Sequence, residues 1–141
     1  MSRVVFEVPT SLSAALAAAL CLAACGSGDD ESSHEVVPGQ ALSVASTGGL
    51  AVGTIRVDGA QINRGQNAFL VGFDPSTTEV SSASTLMPAH GHGSVAPSLA
   101  RQGDGYRISD IVFNMPGLWE VRLELAIDGK PDRLVFNADA P

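Results

Sequence analysis

The stretch that decides the fold is WEVRLELAIDGKPDRLVFN, residues 119–137. From Trp119 to Leu125, apolar side chains occupy alternate positions and charged side chains lie between them. A period of two residues puts the apolar set on one face, as a half-buried antiparallel strand requires. Asp128-Gly129 comes next, a dipeptide that accepts the positive φ angles of a two-residue hairpin turn. We therefore predict that the last two strands pair as a hairpin.

Upstream of this hairpin the chain shows more short β-type runs, separated by Gly, Pro, Asp and Asn, and no sustained helical period. With the hairpin there are seven predicted strands, at residues 50–57, 67–73, 79–87, 95–101, 106–113, 119–127 and 133–137. Short strands at this spacing, with turn residues between them, are typical of a β-sandwich. The predicted fold is therefore all-β, a single immunoglobulin-like antiparallel β-sandwich over residues 41–141.

Three aromatic residues are expected to pack in the core of this sandwich. Trp119 is the only tryptophan and begins the sixth predicted strand, where sandwiches of this type often place an aromatic residue across the corner. Tyr106 begins the fifth strand after a Gly-Asp-Gly turn, and Phe113 ends that strand. Their expected role is structural.

Residues 1–24 are predicted to be a signal peptide and not part of the fold. Residues 12–24 form an uncharged apolar run that is too short to be a stable membrane-spanning anchor. The run ends in Leu22-Ala23-Ala24-Cys25, which resembles the bacterial lipobox. That resemblance implies that the chain is cleaved before Cys25 and that this cysteine is acylated with fatty acids such as palmitate. An ordinary secretory signal followed by a chance cysteine is the alternative.

Residues 25–40 are predicted to be the lipidated cysteine and a flexible acidic tether. The stretch directly after Cys25 is small, polar and acidic, with nothing apolar to pack. Two or three acyl chains hold a protein on a membrane where a single chain does not. Gly26 resembles the sorting residue for an outer membrane, in a host that has two membranes. We therefore expect an exported protein that is anchored to a membrane of the cell envelope by lipid.

Composition argues against several classes of function. Lys and Arg number 8 against 15 Asp and Glu, with no basic patch, so a nucleic-acid partner is not expected. Cys21 leaves with the signal peptide and Cys25 carries lipid, which leaves the mature domain without a disulfide or a cysteine nucleophile. We find no nucleophile elbow and no phosphate-binding loop. The sequence therefore predicts a protein that is not an enzyme.

Within residues 67–137, several short motifs lie between Met87 and Glu120. They are Met87-Pro88-Ala89-His90-Gly91-His92-Gly93, Ala96-Pro97, Gly103-Asp104-Gly105-Tyr106, Phe113-Asn114-Met115-Pro116-Gly117 and Leu118-Trp119-Glu120. Their order and spacing resemble the YtkA-like domain family, with the FixH-type proteins further off. The resemblance implies a small extracytoplasmic β-sandwich, often tethered to a membrane, and a copper-handling or respiratory membrane complex as partner. Relatives often carry a second Met near the position of Ala89, so a Met-rich copper site would be poorer here.

The clustered soft or imidazole side chains are Met87, His90, His92 and Met115. The first three belong to the connection after the third predicted strand, and Met115 belongs to the connection after the fifth. In an antiparallel sandwich these two connections emerge at the same pole. Thioether sulfur suits Cu(I), and imidazole suits Cu(I), Cu(II) and Zn(II). The cluster predicts copper binding, and zinc is disfavoured because no cysteine and no obvious nearby carboxylate adds ligands.

The alternative is a domain that binds no metal. In that case His90 and His92 cap backbone groups in a Gly-rich turn, and Met87 and Met115 are apolar plugs at the end of the sandwich. The protein is then a non-catalytic structural or protein-interaction module of the cell envelope. The residues alone leave both interpretations open.

Overall fold

A computed structural model describes residues 34–141, which contain nine strands and no α-helix. The strands are β1 (Leu42–Ala45), β2 (Val52–Val57), β3 (Gly65–Asp74), β4 (Glu79–Met87), β5 (His92–Gly93), β6 (Ser98–Gln102), β7 (Gly105–Phe113), β8 (Gly117–Ile127) and β9 (Lys130–Ala140). Within this part of the chain no helix is long and apolar enough to cross a membrane. The predicted signal peptide, Cys25 and residues 26–33 lie outside the described residues.

The strands form two antiparallel sheets. One sheet has five strands in the order β1-β2-β3-β7-β6, and the other has four in the order β5-β4-β8-β9. All seven predicted strands are present, and they are divided between the sheets as in an immunoglobulin constant-type domain. The predicted all-β sandwich is therefore confirmed. The strands β1 and β5 were not predicted, because β1 buries only Val44 and β5 has only two residues.

The predicted hairpin is formed by β8 and β9. Ile127 pairs with Lys130 across a two-residue turn. The turn residues Asp128 and Gly129 have φ angles of 49° and 76°, as a type I′ hairpin turn requires. Along β8 every second residue from Trp119 onwards is buried. This alternation places the apolar face of the hairpin against the opposite sheet.

The core lies between the two sheets and contains the aromatic residues named above. Trp119 and Phe113 are both 0% exposed and stack with ring centroids 5.3 Å apart. Tyr106 is partly buried, with its ring centroid 6.3 Å from that of Phe73, and its hydroxyl accepts a hydrogen bond of 2.9 Å from Arg101. Large aromatic side chains contribute strongly to the free energy of folding because each removes much apolar surface from water.

Part of the predicted tether belongs to the packed domain. Val36 is 1% exposed, and its N–H donates to the carbonyl of Asn137 at 2.8 Å. Glu35 forms a parallel bridge with the same residue. Packing therefore begins before residue 41, the predicted start of the domain. The apolar pair Val36-Val37, at the end of a polar stretch, is the feature of the sequence that could have indicated this earlier start.

Asp132 on β9 fixes the connection between β1 and β2. Its carboxylate accepts hydrogen bonds from the Ser46 hydroxyl at 2.6 Å and from the N–H groups of Gly48 at 2.7 Å and Leu50 at 3.2 Å. Burial raises the pKa of Asp132, but the bonds from Ser46 and from the backbone of Gly48, Arg133 and Leu50 outweigh it and lower the pKa to about 2. The ionised carboxylate therefore stabilises the folded chain.

The variant Asp132→Ala is expected to lower the free energy of unfolding by about 1–3 kcal/mol, because the donors of Ser46 and the connection lose their acceptor. The pKa is lower in the folded chain than the ordinary value of 3.8. The stabilisation is therefore complete above about pH 4 and is lost as the pH falls to about 2. Denaturant unfolding at neutral pH and at about pH 2 measures both effects. An equal loss of stability on acidification in the native chain and in Asp132→Ala would contradict this account.

Candidate functional site

The predicted ligand residues lie at one end of the sandwich, which we call the Met/His pole (residues 87–93 and 113–119). A Cβ atom placed on Gly117 would lie 3.0 Å from Cε of Met87. The ring centroids of His92 and Trp119 are 6.2 Å apart. The ends of β4, β5 and β8 therefore lie together at this pole.

A tight reversal of the chain after β4 positions the two histidines. The carbonyl of Met87 accepts hydrogen bonds from the N–H groups of His90 at 3.1 Å and Gly91 at 2.9 Å. Gly91 has a φ of 67°, in the left-handed region that favours glycine. After this turn, His92 pairs with Met87 across the β4–β5 ladder. Residues that are opposite in such a ladder have side chains on the same face, with Cβ atoms about 5 Å apart.

Gly93 explains why β5 can lie so close to β4. A Cβ atom on Gly93 would clash with the backbone carbonyl oxygen of Thr85. The hydroxyl of Thr85 accepts a hydrogen bond of 3.3 Å from the N–H of Ser94. Together these contacts hold His92 against the end of β4.

The two imidazoles are close enough to share one ion. The ring centroids of His90 and His92 are 5.8 Å apart, and the ring planes are inclined by 34°. With a metal–nitrogen distance of about 2.0 Å and about 1.1 Å to the ring centre, two centroids lie about 5.4 Å apart at a trigonal ion and about 6.2 Å apart at a linear one, and the observed distance falls between these values. Both residues are exposed, and neither ring is hydrogen-bonded to a described residue. The described residues therefore give no support for a capping role of the rings.

Trp119 forms the floor beneath His92. The Trp119 indole N–H donates to the carbonyl of Met115 at 3.0 Å, and this bond ties the β7–β8 connection to the start of β8. The indole and imidazole planes are inclined by 67°, an edge-to-face arrangement. From the sequence we expected Trp119 to have a role in the core alone. Its contact with His92 depends on two connections that are distant in sequence.

The two methionines at the pole differ in burial and in the element that carries them. Met87 is 4% exposed and lies opposite His92 in the ladder. Met115 is partly buried and packs against the core, and its carbonyl is the acceptor for Trp119. The burial of both side chains also suits their alternative role as apolar end plugs. The structure thus brings Met87, His90 and His92 together in one hairpin, with Met115 at the same pole.

The donor set at the pole suits only some metal ions. Across residues 34–141, no group of three or more His, Cys, Asp or Glu side chains could hold a metal ion. A metal at the pole would therefore need methionine sulfur in addition to the imidazoles. Thioether sulfur is a ligand for soft ions, of which Cu(I) is the biological example.

Comparisons of the chain with protein families, with curated proteins and with solved structures find no match. The resemblance of the motifs to the YtkA-like family stays a prediction from the sequence.

Proposed function

We propose that this protein is an exported, lipid-anchored domain of the cell envelope that binds one Cu(I) ion at the Met/His pole. The observation that carries the proposal is the pair of imidazoles of His90 and His92, 5.8 Å apart, on the hairpin in which Met87 lies opposite His92. Two imidazole nitrogens and one thioether sulfur make a three-ligand set that suits Cu(I). Met115 is a candidate fourth ligand.

The exposure of the site suits transfer of the ion to another protein. His90 and His92 both lie at the surface, so an incoming ligand can reach the ion without any opening of the fold. We infer that the physiological partner is a copper-handling or respiratory membrane complex at the membrane that holds the lipid anchor. The protein itself needs no catalytic group for this role.

A second candidate function is supported by the burial of Met87, which is 4% exposed. A methionine packed this well is an adequate end plug without any metal. In that case the protein is a structural or interaction module, and the histidines do not bind copper. A measurement of Cu(I) binding distinguishes the two candidate functions.

Anaerobic titration of the Cys21→Ser/Cys25→Ser chain, which has no thiol to compete for the ion, with Cu(I) and a chromogenic chelator tests the proposal. Trp119 is the only tryptophan and lies 6.2 Å from His92, so bound Cu(I) should quench its fluorescence. We expect retention of one Cu(I) per chain, with quenching complete at one equivalent, and no retention of Zn(II) under the same competition. A chain that loses all its copper to the chelator would support the structural module instead.

Lipid anchoring at Cys25 is tested separately with the variant Cys25→Ser. Without the thiol no diacylglyceryl group can be attached, so the variant should accumulate as an uncleaved or soluble product. The native chain should fractionate with membranes at the mass of the acylated mature protein. Membrane fractionation of Cys25→Ser at the mature mass would show that the anchor is not this cysteine.

A further inference from the structure

The outer face of the five-stranded sheet contains two adjoining cavities that are separate from the copper ligands. The smaller has a volume of about 400 Å³ and is lined by Arg56, Leu70 and Gly72 among others. The larger has a volume of about 560 Å³ and is lined by Gln66, Arg107 and Asp110 among others. Leu70 lines the smaller cavity and pairs with Arg107, which lines the larger, so the two cavities are neighbours across β3 and β7. We call the two cavities together the outer groove.

The floor of the smaller cavity is a row of residues that crosses four strands. Thr54 pairs with Gly72, Gly72 with Gly105, and Gly105 with Gln102. The two central positions have no side chain, so bare backbone forms the floor. With strands about 4.8 Å apart, the row is about 14 Å long. An extended ligand one ring wide can lie in it.

The two glycines of the floor are there for different reasons. A Cβ atom on Gly105 would clash with the backbone carbonyl of Val71, whereas a Cβ atom on Gly72 would have no neighbour within 4 Å. Gly72 also does not have a positive φ. Glycine inside a strand is destabilising relative to alanine, and it often marks a site that a ligand approaches closely. The folded backbone has room for a side chain at residue 72. A side chain there would, however, cover the floor of the cavity.

An irregular part of β7 lies on the wall of the larger cavity. Two residues of β7, Ser109 and Asp110, lie opposite the single residue Ala68 of β3. This arrangement is a β-bulge in β7. Asp110 has a φ of 59°, in the left-handed region that aspartate enters more readily than most residues other than glycine. The bulge turns its carboxylate to accept a hydrogen bond of 2.7 Å from the Gln66 amide. Bulges of this kind re-aim side chains beside binding sites.

Charges of both signs line the outer groove, with Arg56 and Arg107 against Asp58, Asp104 and Asp110. Arg107 forms an ion pair of 2.7 Å with Asp58, and Arg56 and Asp104 both line the smaller cavity. An anion would meet the aspartates and a cation would meet the arginines, so an ion of either sign meets like charges in the groove. A neutral ligand whose hydroxyl groups both donate and accept hydrogen bonds suits these side chains. An extended peptide does not suit the groove, because such peptides bind by adding a strand to a free sheet edge. Strands β2, β3 and β7 already have a neighbouring strand on both sides.

We propose that the outer groove binds a neutral oligosaccharide of about three sugar rings. The test is an NMR titration of the full ¹⁵N-labelled chain with maltotriose, cellotriose and chitotriose. A zwitterionic detergent keeps the apolar residues 12–24 in solution and avoids competing sugar headgroups. At least one trisaccharide should give saturable shifts at the amides of Thr54, Gly72, Gln102 and Gly105. No saturable shift with any of the three, or shifts confined to other parts of the domain, would overturn the proposal.

The variant Gly72→Trp fills the groove and should weaken binding at least tenfold. The matched control is Val52→Trp, at an exposed position of β2 that does not line either cavity, and its binding should equal that of the native chain. Arg56→Ala changes only an exposed side chain and should weaken binding about fivefold, which keeps the proposal testable if Gly72→Trp does not fold. Native affinity in both Gly72→Trp and Arg56→Ala would overturn it.

Discussion

The double variant His90→Ala/His92→Ala is expected to lower the affinity for Cu(I) by at least a hundredfold and to leave the thermal stability almost unchanged. Loss of a group that only orients a metal ligand typically lowers metal affinity 10–100-fold, so loss of two ligands should have at least the larger effect. Both side chains are exposed. Exposed substitutions without structural partners usually change the free energy of unfolding by less than about 0.5 kcal/mol.

Copper competition and thermal melting of the metal-free chain measure the two parts of this prediction. His34→Ala is the matched control, because His34 is also exposed and lies outside the Met/His pole. It should bind Cu(I) as the native chain does. Unchanged copper affinity in the double variant would exclude His90 and His92 as ligands. A large fall in its melting temperature without metal would show that the imidazoles have a structural role.

The variant Trp119→Ala is expected to lower the free energy of unfolding by about 3–5 kcal/mol. Trp119 is 0% exposed, stacks on Phe113 at 5.3 Å and donates to the Met115 carbonyl at 3.0 Å. Truncation therefore leaves a cavity and removes the donor that fixes the β7–β8 connection. A loss of this size is a large part of the 5–15 kcal/mol that stabilises a typical domain.

Denaturant unfolding followed by far-ultraviolet circular dichroism measures this loss without relying on tryptophan fluorescence. Trp119→Phe keeps an aromatic ring but not the indole N–H, so its loss should be smaller. Leu118→Ala is the matched control on the neighbouring residue, which is 43% exposed, and should change the free energy of unfolding by less than about 0.5 kcal/mol. A loss below about 1 kcal/mol in Trp119→Ala would contradict the role of Trp119 as the centre of the core at this pole.

Much of the fold could be predicted because strands of a sandwich alternate between a buried and an exposed face. The apolar period from Trp119 to Leu125 and the turn at Asp128-Gly129 predicted the β8–β9 hairpin, and β4 has the predicted bounds. Strand β5 could not be predicted, since two residues carry no period. The burial of Val36 depends on its contact with Asn137, which lies a hundred residues further along the chain.

The candidate site was predictable in its residue types but not in its geometry. Thioether and imidazole groups are few in this chain, so the residue types of Met87, His90 and His92 were enough to identify them as candidate metal ligands. Their proximity depends on the pairing of Met87 with His92 and on the turn between them. The outer groove could not be predicted at all, because it is made by the pairing of Gly72 with Gly105, on strands that are distant in sequence.

X-ray absorption spectroscopy of the Cu(I)-loaded Cys21→Ser/Cys25→Ser chain, in which methionine is the only source of sulfur, is the most direct test of the proposed site. We predict two nitrogen ligands at about 2.0 Å and at least one sulfur ligand at about 2.3 Å per copper ion. The variant Met87→Leu, which keeps the apolar volume, should lose the sulfur contribution of that residue and retain both nitrogens. A copper ion surrounded only by nitrogen and oxygen, or a spectrum that Met87→Leu leaves unchanged, would contradict the account.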